Sequence, residues 1–294
     1  MLKSAPDSAD ITQRTPVGAA QREARTFFHE RLRAISAGIM EAFGGTFFLL
    51  IAITQLEAGK TVQALIATGG SAGLLLGPLA VHLARLSRWP VNRFMAALHL
   101  LAAAFLLLCG FHVTVATYTA AGLLALVVAN MCIPLATQFY QQNYPDSRRG
   151  ALFSVASTIR VGFTALSTWL LGQLLESQPQ SYPAVILVTA AAYGLSALCF
   201  WRCPGEPVEE LPSHRMPYSS LGYLARDKQF LWLIGVWMFM GWGNLMMVPL
   251  RIKYAVEPAY GLQLGSAETA LVVGVVPAAV VFLTTWIWGD CLMR

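Results

Sequence analysis

Residues 94–145 read FMAALHLLAAAFLLLCGFHVTVATYTAAGLLALVVANMCIPLATQFYQQNYP, a run of 52 residues without a Lys, Arg, Asp or Glu. A helix that crosses a membrane needs about 20 predominantly apolar residues, so this run is long enough for two crossings. The more polar residues 112–117 offer a turn between them. This stretch therefore predicts a helical hairpin that crosses a membrane twice.

The whole chain has the same character as this run. Of its 294 residues, 56% are hydrophobic and 12% are charged, whereas about 25% of the residues in an ordinary soluble domain are charged. This composition disfavours a soluble enzyme, a disordered chain and a nucleic-acid-binding protein. The five cysteines lie in or beside apolar segments without metal-ligand spacing, so we expect neither a metal site nor a cofactor.

Six further apolar segments carry at most one charge each. Two of them contain a single charged residue, Glu41 within residues 35–56 and Arg160 within residues 151–175. The other four contain none and comprise residues 61–84, 177–201, 229–250 and 269–289. Together with the hairpin they predict an all-α integral membrane protein with eight membrane spans, which we number 1 to 8 in chain order.

The basic residues indicate the orientation of the spans. Sixteen of the twenty Lys and Arg residues lie in the N-terminal tail, in the segments after spans 2, 4 and 6, and at the C-terminus. The other loops hold only Lys60, Arg251 and Lys253. Because cytoplasmic loops are enriched in Lys and Arg, we expect a multi-pass protein of a plasma or bacterial inner membrane with its N-terminus in the cytoplasm.

A polar linker divides the chain after six spans. Residues 203–229 contain four prolines and the acidic residues Glu206, Glu209 and Glu210, a composition typical of a connection between two bundles. The predicted regions are a cytoplasmic tail with an interfacial amphipathic segment (1–34), a six-span bundle (35–202), a cytoplasmic linker (203–229) and the first two spans of a second bundle (230–294).

The spacing of the two bundles predicts a longer protein than this chain. Similar basic and aromatic stretches precede spans 1 and 7 about 195 residues apart, so two matching bundles would need roughly 390 residues. We therefore expect a chain that is truncated at its C-terminus and that accumulates no solute in vesicles on its own.

Glu41 and Arg160 are the candidate residues for a function within the membrane. A charge there is costly without a partner, and the two residues lie at similar depths, about 5 Å apart along the membrane normal at a rise of 1.5 Å per residue. They can form a switchable pair, or bind a proton and an anionic group of a substrate. The alternative is a static ion pair that fixes helix packing.

The loop between spans 4 and 5 reads NYPDSRRG at residues 143–150 and resembles the corresponding loop of the major facilitator superfamily (MFS). A Pro, an acid and an Arg-Gly pair occupy this position in that superfamily, and Asp146 can interact with the positive N-terminus of span 5. The six-span bundle, the central linker and the start of a second bundle extend the resemblance over nearly the whole chain. It implies an MFS-like fold.

The resemblance also implies two sets of site residues. Candidates for a cytoplasmic gating loop are Asp146, Arg148, Arg149, Gly150, Gly77 and Arg85. The last two belong to a partial copy of the superfamily's signature between spans 2 and 3, in which Val81 stands where an acid is expected. Asn130 and Asn244 are candidates for the substrate path because the superfamily lines it with spans 1, 4 and 7; either can instead form an interhelical hydrogen bond.

The function that the resemblance implies is secondary active transport of a small solute by alternating access. The expected partners are a small-molecule substrate, a proton or sodium ion as coupling ion, and membrane lipids, but not nucleic acid. No catalytic constellation is present, so we do not expect an enzyme. The alternative function is that of a non-transporting eight-helix membrane scaffold or receptor.

Overall fold

The computed structural model describes residues 16–208, 222, 226–260 and 262–292. Parts of three predicted segments lie outside these residues: the start of the tail (1–15), most of the linker (209–221 and 223–225) and the last two residues (293–294).

The described residues form helices and short connections. The α-helices are α1 (Pro16–Ala42), α2 (Phe48–Thr54), α3 (Lys60–Leu75), α4 (Gly77–Ser87), α5 (Val91–Phe111), α6 (Val115–Met131), α7 (Ile133–Asn143), α8 (Asp146–Ser177), α9 (Tyr182–Arg202), α10 (Lys228–Val256), α11 (Ser266–Ala270) and α12 (Val276–Leu292). Two π-helical turns, Phe43–Phe47 and Leu271–Val275, join α1 to α2 and α11 to α12.

These helices correspond to the eight predicted spans. Seven are long and apolar enough to cross a membrane, and the pair α3 and α4, bent by 48°, can form one more. The bend lies where Pro78, near the start of α4, lacks the backbone N–H that would continue the helix. Large apolar side chains such as Leu108 and Phe111 are exposed, as expected for surfaces that contact lipid tails.

The ends of the spans follow from local capping and from proline. Thr114 accepts a hydrogen bond from the backbone N–H of Thr117 and begins span 4, in the turn that the sequence predicts. Pro145 directly precedes α8, so that Asp146 lies in the first turn of span 5. Asp227 caps span 7 by accepting a hydrogen bond from the backbone N–H of Phe230.

The helix of span 1 begins well before the predicted start at residue 35. It runs without interruption from Pro16, and the side chains of Thr26 and Glu30 are buried. The predicted interfacial segment is therefore continuous with the span and packs on the bundle. Its polar residues tolerate this position because several of them find partners on neighbouring elements, as described below.

The beginning of the predicted linker also packs on the first bundle. The backbone N–H of Val91 donates a hydrogen bond to the carbonyl oxygen of Glu206 at 3.0 Å, and Pro90 and Pro207 form an isolated antiparallel bridge. Val208 is buried with side chains of spans 2, 3, 4 and 6. Residues 203–208 are thus part of the bundle.

The two ends of the molecule differ in how spans 7 and 8 contact the first six. We call the end with the loops after spans 2, 4 and 6 the basic end, and the other the opposite end. At the opposite end, Ile252 and Ala270 are buried in one cluster with Phe47 and Leu175. The buried cluster at the basic end includes no residue of spans 7 and 8 among those described.

Candidate functional site

Glu41 and Arg160 form an ion pair between spans 1 and 5, in which Nη1 of Arg160 donates to Oε2 of Glu41. The helices approach closely at Gly38, where an added Cβ would lie 2.7 Å from the carbonyl oxygen of Arg160. Arg160 also donates to the hydroxyl of Ser157 at 3.3 Å. The side chains of Glu41 and Arg160 remain 46% and 37% exposed, so the surrounding helices do not enclose the pair.

The exposed side of this ion pair faces a cavity of about 270 Å³. Spans 1, 5, 7 and 8 all contribute to its wall, which therefore lies between the first six spans and the last two. Its polar and charged lining residues are Glu41, Thr46, Arg160, Thr164, Thr168 and Arg251.

The two π-helical turns meet beside this cavity. Thr46 of the first turn and Gly274 of the second both line it. An added Cβ on Gly274 would lie 2.4 Å from the methyl group of Thr168 and 3.0 Å from the hydroxyl oxygen of Thr46, so only glycine permits this approach. π-Turns inside α-helices occur frequently at functional sites.

The cavity is closed toward the opposite end by contacts between spans 5 and 8. At Gly172, an added Cβ would lie 2.6 Å from the Cβ of Ala270. Glu176 accepts a hydrogen bond from the backbone N–H of Ala267 at 3.3 Å. Toward the basic end, by contrast, span 7 is exposed: no residue from Lys228 to Arg251 is buried.

Asn130 and Asn244 take different positions relative to the cavity. Neither lines it. The side-chain amide of Asn130 donates to the carbonyl oxygen of Leu126 in its own helix. A Cβ added to Gly73 of span 2 would lie 2.8 Å from the Cβ of Asn130, so the two helices are in close contact here. Asn244 is exposed and precedes Arg251 by seven residues, which places both on one face of α10.

The loop before span 5 contacts the first bundle. Asp146 accepts a hydrogen bond from Arg149, which also donates to the carbonyl oxygen of Tyr144. Arg148 pairs with Glu23 of span 1 at 2.7 Å. Gly150 has open space where a side chain would lie. These four of the six candidate gating residues thus lie at the basic end, on the side of spans 1 to 6.

Gly77 and Arg85 belong to the second half of the bent span 2. An added Cβ on Gly77 would lie 3.0 Å from the ring of Pro134, so the glycine lets span 2 approach the break in span 4. Arg85 lies in the last turn of α4, where a cation interacts favourably with the helix dipole. Both residues lie on the half of span 2 that leads to the basic end.

A buried polar network at the basic end was not predicted from the sequence. Arg33 donates to both carboxylate oxygens of Glu30, at 2.8 and 2.5 Å, and to the hydroxyl of Tyr140 at 3.2 Å. That hydroxyl in turn donates to Glu30 at 2.6 Å. Burial raises the pKa of the neighbouring Tyr144 above its ordinary value, which further favours the neutral hydroxyl.

Glu206 connects this end of span 1 to the linker. It pairs with Arg22 at 2.8 Å, and its backbone N–H donates to the side chain of Gln142 at 3.3 Å. Burial raises the pKa of nearby Cys203 to about 12, which keeps its thiol protonated. Among the residues that the structure describes, no group of three His, Cys, Asp or Glu side chains could hold a metal ion.

Arg251 is a cavity residue that sequence reasoning assigned to a loop. The predicted span 7 ended at residue 250, whereas α10 continues to Val256 and brings Arg251 onto the wall of the cavity. The spacing to Asn244 was the signal in the sequence that could have placed it, because seven residues make almost two helical turns.

The chain shares its fold with a solved homologue of a transporter. No protein-family model and no curated protein matches it. Among solved structures, it is similar to a bacterial homologue of the human lysosomal transporter Spinster, described as inward-facing and unoccupied, with a TM-score of 0.62 and 14% identity. The match covers 94% of this chain, which spans 63% of that protein's length. The fold is therefore MFS-like, and the predicted all-α, multi-pass membrane architecture is confirmed.

Proposed function

We propose that this chain, a multi-pass membrane protein with an MFS-like fold, belongs to a secondary active transporter that moves a small solute by alternating access. The single observation that carries the proposal is the position of the Glu41–Arg160 pair. The pair faces a cavity between the first six spans and the last two. Ionisable groups within a membrane are functional candidates because an unpaired charge there is costly. Transporters of this kind bind substrate and coupling ion near the membrane midplane between two bundles.

The arrangement of the spans supports an inward-open state. Spans 7 and 8 pack against the first bundle at the opposite end, whereas the buried cluster at the basic end includes no described residue of these two spans. The excess of Lys and Arg at the basic end favours a cytoplasmic location for it. In this orientation the cavity opens to the cytoplasm, and the N-terminus is cytoplasmic.

The roles of the remaining predicted residues follow from this proposal. Glu41 and Arg160 bind the substrate or a coupling proton or sodium ion, and Asn244 lies on the path that leads to them. Asn130 contributes to the contact between spans 2 and 4. The loop residues Asp146, Arg148, Arg149 and Gly150 and the half of span 2 that carries Gly77 and Arg85 form the surface at which spans 7 and 8 would close the basic end.

Cysteine accessibility tests the proposal without knowledge of the substrate. In a chain with its five native cysteines replaced, Ala278→Cys is placed on the cavity wall and Ala270→Cys in the buried contact at the opposite end. Leu108→Cys, on the exposed apolar surface of span 3, controls for reagent that partitions into lipid. The reagent is a charged, membrane-impermeant thiol compound, added to inside-out or right-side-out vesicles.

We expect Ala278→Cys to react in inside-out vesicles and Ala270→Cys to react in neither orientation. Leu108→Cys should not react with the charged reagent, because that residue faces lipid. A cavity position that stays unreactive from both sides, in a protein that still inserts, would contradict the transporter proposal and favour a scaffold.

A further inference from the structure

The cavity between the two groups of spans carries an excess of positive charge. Its charged lining residues are Glu41, Arg160 and Arg251, and the first two neutralise each other in their ion pair. Among the described residues Arg251 has no ion pair. An arginine within a membrane span is costly unless it faces water or a counter-charge. A negatively charged solute in the cavity would supply that counter-charge.

The hydrogen-bond donors of the cavity are suited to the same kind of ligand. The hydroxyls of Thr164 and Thr168 donate to backbone carbonyl oxygens of their own helix, those of Arg160 and Thr164. Their hydrogens are therefore not directed at a ligand. The charged donors of the cavity are the guanidinium groups of Arg160 and Arg251, and the hydroxyl of Thr46 is a neutral donor beside them. A guanidinium group binds carboxylate and phosphate oxygens through two parallel hydrogen bonds.

We propose that the cavity binds a small anion, carrying a carboxylate or phosphate group, between Arg160 of the first bundle and Arg251 of span 7. This inference rests on the proposed function and names the class of its substrate. The cavity volume of about 270 Å³ lies just below the range of about 300–1,000 Å³ that is typical of ligand pockets, which favours a compact solute.

Glu41 competes with the anion for Arg160. While the carboxylate of Glu41 holds the guanidinium group, the anion has full access only to Arg251. A neutral side chain at position 41 releases Arg160 and raises the net charge of the cavity by one unit. Removal of the acid should therefore strengthen anion binding, whereas a residue that only supports the fold would weaken it or leave it unchanged.

Lys253 provides a matched control for Arg251. It lies two residues further along α10, about 200° around the helix, and pairs with Glu257 at 3.4 Å instead of lining the cavity. Lys253→Gln and Arg251→Gln remove the same charge from the same span. A general effect of charge would thus weaken binding in both variants. An effect specific to the cavity would weaken it only in Arg251→Gln.

The experiment measures binding of succinate and of inorganic phosphate to the purified chain in detergent by titration calorimetry, with glucose as the neutral solute. We expect at least one of the two anions to bind and glucose not to. Arg251→Gln should weaken binding by about tenfold or more, because it removes a bidentate charged contact. Glu41→Gln should strengthen it, and Lys253→Gln should leave it unchanged.

Arg251→Lys extends the test if the glutamine variant does not fold. It keeps the charge but loses the planar fork, so we expect anion binding between that of the wild type and that of Arg251→Gln. Equal losses in Arg251→Gln and Lys253→Gln would overturn the proposal, as would weaker binding in Glu41→Gln. If Ala278→Cys is accessible but neither anion binds, the substrate class is wrong and the transporter proposal stands. If Ala278→Cys is inaccessible from both sides, the transporter proposal itself fails.

Discussion

Span 1 carries two Glu–Arg pairs whose surroundings differ. Glu30 and Arg33 lie one turn apart on the same helix, and their side chains are 2% and 18% exposed. Glu41 reaches Arg160 on span 5, and this pair is 46% and 37% exposed to the cavity. The same two residue types therefore occur once inside the packed bundle and once on the surface of a space that a solute can enter.

The two pairs differ in how many hydrogen-bond partners surround them. Arg33 forms a bidentate contact with Glu30, and the hydroxyl of Tyr140 bridges the two. A buried pair with all its partners in place is held firmly, since removal of either member leaves an uncompensated charge. The Glu41–Arg160 pair lines the cavity and is only partly enclosed by protein, so that it can exchange partners at small cost. Only the second pair suits a cycle of binding and release.

Glu30→Gln should cause the largest loss of stability among these changes. It leaves the guanidinium group of Arg33, which is only 18% exposed, without its counter-charge, and breaking a buried pair costs up to about 3–5 kcal/mol. The measurement is the midpoint of chemical unfolding of the purified chain in detergent. The double variant Glu30→Leu with Arg33→Met is the control, because an apolar replacement of both partners is often close to neutral. Equal losses in the single and double variants would show that the charge of Arg33 is not the cause.

Tyr140→Phe should have an intermediate effect on the same network. It removes the hydroxyl that donates to Glu30 and accepts from Arg33 but keeps the ring, which stacks on Tyr144 at a centroid distance of 5.8 Å. The loss of a hydrogen bond to a charged group is about 1.5–3 kcal/mol. The unfolding midpoint again measures it. Tyr254→Phe is the control, since that ring is exposed at the other end of the molecule; a similar loss there would argue against the network.

The sequence indicated only the second of these two pairs. Glu41 and Arg160 are single charges in long apolar segments, and such charges are conspicuous because the membrane makes them costly. Glu30 and Arg33 belong to a stretch with many charges, which is typical of a solvated tail. Their burial depends on Tyr140, 110 residues away, and a local pattern carries no information about that contact.

Other parts of the fold and site also divide into features that the local sequence shows and features that it does not. Apolar runs with at most one charge each predicted the eight spans because the length of a span is set by the thickness of the membrane. The π-turns at Thr46 and Gly274 were not predicted, because one extra residue in a helical turn produces no recognisable pattern of apolar residues in the sequence. Arg251 was not predicted in the cavity because a charge is typical of the end of a span, whereas this helix continues to Val256.

Glu41→Gln should have the smallest effect on stability and thereby separate the two pairs. The pair that it breaks is about half exposed, and exposed ion pairs contribute roughly 0–1 kcal/mol. Water in the cavity can solvate Arg160 once its partner is neutral. We therefore expect an unfolding midpoint close to that of the wild type, in contrast to Glu30→Gln, which makes the same chemical change eleven residues earlier on the same span. If the two variants lost similar stability, Glu41 would be a packing residue like Glu30, and the static ion pair would be the correct interpretation of the Glu41–Arg160 contact.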